Sequence, residues 1–344
     1  MEKQLEPKNG PESENPSTLN PVFTQAGILQ RPEPVRDEKQ VAASILNAPQ
    51  CALILINPDE EVALAARPRE DLPADLVGSI LGVGAPASVP GAYLGTSPDG
   101  PVLAIFDFDG QLPWSTSDLL GNPAPKFLNL RQELPSGKAP EPITGTPLPA
   151  IDEAALSALA LWQWRRATRY CPQHAETYLV EELGWALRCP QCRRPAYPRI
   201  DPAMIVAVLD QDDRLLLGNN QRWPEGRFSL LAGYVEAGES AENAVRREVF
   251  EEVKLPLPGP VRPLATQVWP FPRSLMLLHT SRIELSGDQA DQALHPDPSE
   301  IREARFFSRE QYREEVAAGT ITPPAGTSIA RAFIRYWLAG GSVD

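Results

Sequence analysis

The chain has 344 residues, enough for two ordinary domains with separate cores, and its 42% hydrophobic and 22% charged residues are those of a globular protein. A formal charge of −13 argues against indiscriminate binding to polyanions, so an anionic ligand needs a local patch of arginine, lysine or metal ions. No run of about 18 apolar residues is present, and Met1 to Asn20 lacks the apolar centre of a signal peptide, so a cytoplasmic protein without a membrane span is expected.

In chain order, residues 1–38 are rich in Pro, Glu, Asn and Ser and read as a disordered tail. Residues 39–133 read as an α+β domain, with strands expected at Ala52–Asn57, Val62–Ala66 and Val102–Phe108. Residues 134–168 combine a Pro- and Gly-rich linker with a helix over Asp152–Thr168, whose Leu156, Leu159, Ala160 and Trp164 fall near helical spacing. Three of the four cysteines cluster in residues 169–200, while Cys51 opens an apolar run and reads as a small buried side chain. Residues 201–344 form a second block. Its strands are expected at Met204–Leu209, Arg214–Gly218, Phe228–Leu231, Leu264–Val268, Leu275–Thr280 and Ala304–Phe307. Its helices are expected at Ala241–Val253, with Ser240 as N-cap, and near Ser328–Leu338 before Gly340-Gly341.

Cys171-Pro-Gln-His174 and Cys189-Pro-Gln-Cys192 are two ligand pairs fourteen residues apart. In a reducing compartment such pairs suit one tetrahedral zinc held by three thiolates and an imidazole. Both pairs close the site and leave no open position, so this zinc is structural.

The helix at 241–253 carries the most telling pattern. Gly233 and Glu239 are followed by Arg247-Glu248-Val249-Phe250-Glu251-Glu252. Residues four apart share a helix face, so Glu248 and Glu252 project side by side with Glu251 adjacent. Three carboxylates so close repel one another and suit hard divalent cations such as Mg²⁺ or Mn²⁺. A plain solvated acidic face is the ordinary reading of a short charge run, but the fixed order of all these residues argues against it.

This pattern resembles the Nudix box of the Nudix hydrolases: Gly233, Glu239, Arg247, Glu248, Val249, Glu251, Glu252 and Leu255 conform, and Lys254 replaces the last Gly. A non-Gly residue in the left-handed conformation that position takes costs about 1 kcal/mol, so a locally altered helix end is expected there. Gln267-Val268-Trp269-Pro270-Phe271-Pro272-Arg273-Ser274 resembles the signature of the NADH pyrophosphatase branch, which also removes NAD caps from RNA, with Val268 in place of a Pro. That branch carries a metal ribbon where the cysteines stand here, usually with four Cys; His174 takes the second place.

The resemblance implies an α+β protein in three parts: an N-terminal α+β domain, a small zinc ribbon, and a C-terminal α/β/α sandwich with a mixed sheet. It implies two or three Mg²⁺ or Mn²⁺ ions on Glu248, Glu252, Glu300 and the carbonyl of Ala232, with Glu251 or Glu252 as base. It assigns substrate contacts to Arg131, Tyr197, the segment from Gln267 to Ser274, and Ala330. It implies a homodimer acting on NAD(H), to give NMN(H) and AMP, or on NAD-capped RNA, to leave a 5′-monophosphate. The alternatives are another dinucleotide such as ADP-ribose, or a non-catalytic sensor of NAD or ADP-ribose.

Overall fold

The computed structural model describes residues 38–81, 91–133, 151–326 and 328–341. The expected tail (apart from Glu38) and most of the expected linker lie outside these residues.

The first part runs α1 (Glu38–Asn47), β1 (Gln50–Ile56), β2 (Val62–Pro68), α2 (Ala74–Leu81), β3 (Gly91–Ser97), β4 (Gly100–Phe106), α3 (Thr116–Leu120) and α4 (Leu130–Glu133). Its four strands are ordered β2-β1-β4-β3, with β1 and β4 parallel and both outer pairs antiparallel. Near-continuous apolar runs in β1 and β4 bury both sheet faces. Leu53, Leu55, Leu103 and Ile105 face α1 and α2; Ile54, Ile56, Ala104 and Phe106 face α5 (Ile151–Ala167). Trp162 of α5 is fully buried there, and its indole Nε1 donates to the carbonyl of Asp107.

Beyond α5 come three short strands, β5 (Leu179–Glu181), β6 (Ala186–Arg188) and β7 (Pro195–Ala196), all antiparallel. This small sheet docks on the first one. Trp185 Nε1 donates to the carbonyl of Tyr93 at 2.8 Å, and Leu187 enters the same core as Trp162.

The remaining elements are β8 (Asp201–Leu209), β9 (Leu215–Asn220), β10 (Leu231–Tyr234), α6 (Ala241–Val253), β11 (Arg262–Trp269), β12 (Ser274–Arg282), α7 (Gly287–Gln292), β13 (Ile301–Phe307), α8 (Arg309–Ala318) and α9 (Ile329–Leu338). They build a mixed sheet of order β11-β12-β8-β9-β13, with β10 paired to β8 and the β8–β12 pair parallel. Met204, Val206 and Val208 pack with Val245, Val249 and Val253 of α6; Ile205, Ala207 and Leu209 pack with Phe333, Ile334 and Trp337 of α9. The α+β class and the mixed sheet between helices are therefore as expected.

Several expected elements shift. The strand placed at Phe228–Leu231 begins only at Leu231; before it, Ser229 makes an isolated bridge to Gly218. The strand placed at Val102–Phe108 covers Gly100–Phe106, because the backbone turns away at Asp107, whose side chain accepts from the amide of Gly110. The expected disturbance after α6 does not occur. Lys254 itself takes the left-handed conformation (φ 58°), its amide donates to the Phe250 carbonyl, and its Nζ donates to the Glu251 carbonyl. The helix end thus keeps the left-handed conformation, with lysine where glycine is usual.

Candidate active site and metal centre

Helix α6 starts where the sequence places it, with the Ser240 side chain accepting from the amide of Asn243. Its buried residues Ala244, Val245, Val249, Glu252 and Val253 follow helical spacing. Glu252 is the exception among them, a carboxylate on the apolar face. Glu252 is only 6% exposed, and its Oε2 has no hydrogen-bond partner. Burial, then the charges of Glu248, Glu300 and Glu251, push its carboxyl up to about 8. Burial also pushes Glu248 up, against the pull of Arg247 and with Glu251 and Glu300 adding to the rise.

Arg247 holds the cluster together. It donates to Glu239 Oε1 and Oε2 at 3.0 and 2.9 Å, to Glu248 Oε1 at 2.9 Å, to Glu251 Oε2 at 3.0 Å and to the carbonyl of Tyr234 at 2.9 Å. Its hydrogen bond draws Glu239 below the usual carboxylate range. Strand β10 approaches the helix so closely that a Cβ on Gly233 would lie 2.0 Å from Glu248 Cδ. Any larger residue there would push the Glu248 carboxylate from its place. Ala232, next on the strand, is exposed.

Glu300 joins from a separate loop. The Asp297 amide donates to the carbonyl of Glu252 at 2.8 Å, and the Glu300 carbonyl accepts from Gln221 at 2.7 Å. The exposed carboxylate of Glu300 is near enough for its charge to act on both Glu248 and Glu252. A buried carboxylate oxygen without a donor, ringed by three further carboxylates, is the arrangement that hard divalent cations complete.

The residues between β11 and β12 lie at one end of the same sheet. Trp269 pairs with Ser274, and Phe271 meets Trp269 edge-on at 5.1 Å. Tyr234 crosses from β10 to place its hydroxyl 3.3 Å from Ser274 Oγ. Gln267 is buried, and its Oε1 accepts from the amide of Ile329 at 2.7 Å, which fixes the start of α9. Ala330 is buried in the core below, so its methyl group faces protein. Val268 is exposed on the opposite face of β11 from Gln267, Pro270 is buried and Pro272 exposed. Arg273 is bound to Asp201, which also binds Arg199 at the exit of the small sheet. Arg131 sits with its guanidinium 6.0 Å from the Phe271 ring centre, and Tyr197 is 56% exposed.

In the small sheet, the ligand atoms of Cys171, His174, Cys189 and Cys192 all lie within 4.8 Å of one another. Cys171 Sγ is 3.6 Å from His174 Nδ1 and 4.0 Å from Cys192 Sγ, and Cys189 Sγ is 3.8 Å from His174 Nδ1. A tetrahedron with metal–sulfur bonds of about 2.3 Å has edges of about 3.8 Å, so the donor set fits zinc. Burial raises the Cys171 thiol, but hydrogen bonds from the Gln173 and His174 amides and from the His174 ring outweigh it and bring it down to about 6.

A family model of the NUDIX domain matches residues 199–327. The chain carries a NUDIX domain. The NAD-capped RNA hydrolase NudC of Mycobacterium tuberculosis is 40% identical over 191 residues, which are 53% of this chain and 59% of that protein. The NAD-capped RNA hydrolase NUDT12 of Homo sapiens is 34% identical over 211 residues, 56% of this chain and 44% of that protein. The chain thus spans about three fifths or less of the length of these relatives. Among solved structures, a NUDIX hydrolase from Nitrosomonas europaea aligns over 46% of this chain and 97% of its own, at 19% identity and a TM-score of 0.33.

Within the NUDIX domain, Tyr234 and Asp201 were not singled out from sequence, and Glu239 was named only as part of the pattern, without its contact. Tyr234 had a signal, since it directly follows Gly233 and must alternate to the opposite face of β10. The role of Glu239 as a clamp for Arg247 and that of Asp201 between two arginines depend on tertiary contacts that no local pattern announces.

Three outcomes follow from this geometry. Gly233→Ala should displace the Glu248 carboxylate and lower metal-dependent turnover by about a hundredfold or more, with metal affinity read by titration of the folded variant. Because the folded-state value for Glu252 lies above that of an unfolded chain, the metal-free protein binds extra protons and should lose stability as pH rises from about 4.5 to about 8. Thermal melts should therefore show Mg²⁺ raising Tm more at pH 8 than at pH 5, and Glu252→Gln should flatten both trends. One zinc per chain should be found by elemental analysis, and Cys189→Ser should lose it with a Tm fall of several degrees.

Proposed function

We propose that this chain is a divalent-metal-dependent hydrolase of the pyrophosphate in NAD(H) and in the NAD cap of RNA 5′ ends. The observation that carries the reading is the buried, donorless oxygen of Glu252 among Glu248, Glu251 and Glu300. The similarity to two proteins named as NAD-capped RNA hydrolases supports the substrate class.

In this reading Glu248, Glu252, Glu300 and the Ala232 carbonyl hold two or three Mg²⁺ or Mn²⁺ ions. Cations held there would supply Lewis-acid chemistry, offsetting the charge of the pyrophosphate and making a water more acidic. Glu252 or Glu251 takes the proton from that water as its oxygen attacks one phosphorus. The P–O bond to the bridging oxygen breaks, and the other phosphate leaves with that oxygen. NAD(H) gives NMN(H) and AMP; capped RNA gives NMN and a 5′-monophosphate end. Arg247 keeps Glu248 and Glu251 oriented and stops the cluster from dispersing. Trp269 and Tyr234 offer ring faces for a base or nicotinamide, and Ser274 a hydrogen bond. Arg131, Tyr197, Arg273 and the backbone at Ala330 complete the proposed substrate contacts.

Residues 169–200 form a structural zinc ribbon in the same proposal, between an N-terminal domain of residues 39–133 and the NUDIX domain. A homodimer belongs to it as well, with the exposed Leu179 and Ile200 as apolar surface for a second copy to cover. Three reduced thiolates accord with a cytoplasmic setting. No helix among the described residues is long and apolar enough to cross a membrane.

The test is a product assay with Mg²⁺ or Mn²⁺, in which NADH, ADP-ribose and NAD-capped RNA are offered in parallel. NMN(H) release should appear with the first and last and fall by about a thousandfold or more in Glu252→Gln. Turnover confined to ADP-ribose, or NAD binding without any turnover, overturns the proposal.

A further inference from the structure

The turn from Trp269 to Ser274 joins two strands of the NUDIX sheet, yet Phe271 packs beyond that sheet. Its ring packs against the core of the N-terminal part, the cluster built from Ile54, Phe106, Leu130, Trp162 and Leu187. Trp185 and Ala196 of the small ribbon sheet pack against the same cluster. The guanidinium of Arg131, beside Leu130 in α4, lies 6.0 Å from the Phe271 ring centre. On its other side Phe271 meets Trp269 edge-on, at 5.1 Å and 76°. One ring therefore bridges the N-terminal core and the Trp269 indole.

Neighbouring bonds hold the same turn against the sheet. Asp201 donates its amide to the Arg273 carbonyl at 3.0 Å and accepts from Arg273 Nε at 2.7 Å. Those bonds fix the backbone of the turn, but none of them touches the indole of Trp269. Edge-to-face packing of this kind favours one relative orientation of the two rings.

We propose that Phe271 is a positioning residue, through which the N-terminal part and the ribbon set the orientation of Trp269 for the substrate ring. The residue is thus distinct from a direct substrate contact. This rests on the reading of Trp269 as the ring-stacking residue of an NAD-cleaving site. Its consequence is that the N-terminal part contributes to substrate affinity without supplying a catalytic group.

The experiment has two arms, the first independent of any activity. The protein is labelled with 5-fluorotryptophan, and the Trp269 resonance among the seven tryptophans is assigned with Trp269→Phe. Phe271→Ala should shift or broaden that resonance, while Phe271→Leu, which keeps the apolar fill against the core, should move it less. An unchanged Trp269 resonance in Phe271→Ala overturns the proposal, whatever the enzyme does. In the second arm, Phe271→Ala should raise KM for NADH about tenfold with a smaller change in kcat, the mark of lost binding common to ground and transition states. In a Trp269→Ala background the same substitution should have no further effect. Additive losses in the double variant would mean that Phe271 touches substrate itself, and would overturn the positioning role. If wild type cleaves no NAD compound but the resonance still responds to Phe271→Ala, the functional reading fails and the positioning contact stands.

Discussion

The site depends on one constraint: four carboxylates must be held together before any cation arrives. Charges this close repel one another, and one of them, Glu252, is buried where water screens it little. Arg247 answers that repulsion by spreading its five donors over Glu239, Glu248, Glu251 and a backbone carbonyl of β10. The Glu248 carboxylate can lie over β10 as it does because Gly233 has no side chain. Glu252 receives no bond from Arg247, and its high proton affinity comes first from burial and then from the charges of Glu248, Glu300 and Glu251.

The three sheets are not independent beads. Trp185 reaches from the ribbon sheet to the backbone of β3, and Arg165 of α5 sends a buried donor to the Gly91 carbonyl on the same strand. Burial lowers that arginine to about 10, and its charge rests over the Phe106 ring at 5.4 Å. From the same core Phe271 leads across to the NUDIX sheet. The small sheet between the two larger ones thus takes part in the contact through Trp185, Leu187 and Ala196.

The chemistry was more legible than the architecture. Helix α6 and its N-cap could be read from Ser240 and the spacing of Ala244, Val245 and Val249, because a helix states its face in local periodicity. The cysteine pairs were equally plain, since their ligand spacing leaves few alternatives. Strand β3 was invisible because Gly91, Gly95 and Thr96 interrupt its apolar run, and its pairing with β4 comes from tertiary packing. The end of α6 misled for the opposite reason: Lys254 violates the local preference and is held in place by hydrogen bonds a sequence does not display. For Gln267 and Ala330 the resemblance gave a role, while the structure shows each also securing the start of α9.

The parallel register of β8 and β12 sets Ser274 opposite Asp201, while Trp269 closes the hairpin against Ser274. Four residues span that closure, and side chains alternate faces at every step along a strand. The length of this turn is therefore as constrained as its composition. A single inserted or deleted residue that pushed either flank by one place would send Trp269 or Ser274 to the α6 side of the sheet and break the Asp201–Arg273 pair. Substitution within the turn is a matter of degree, whereas a change in its length is not, and variation among related chains should respect that difference.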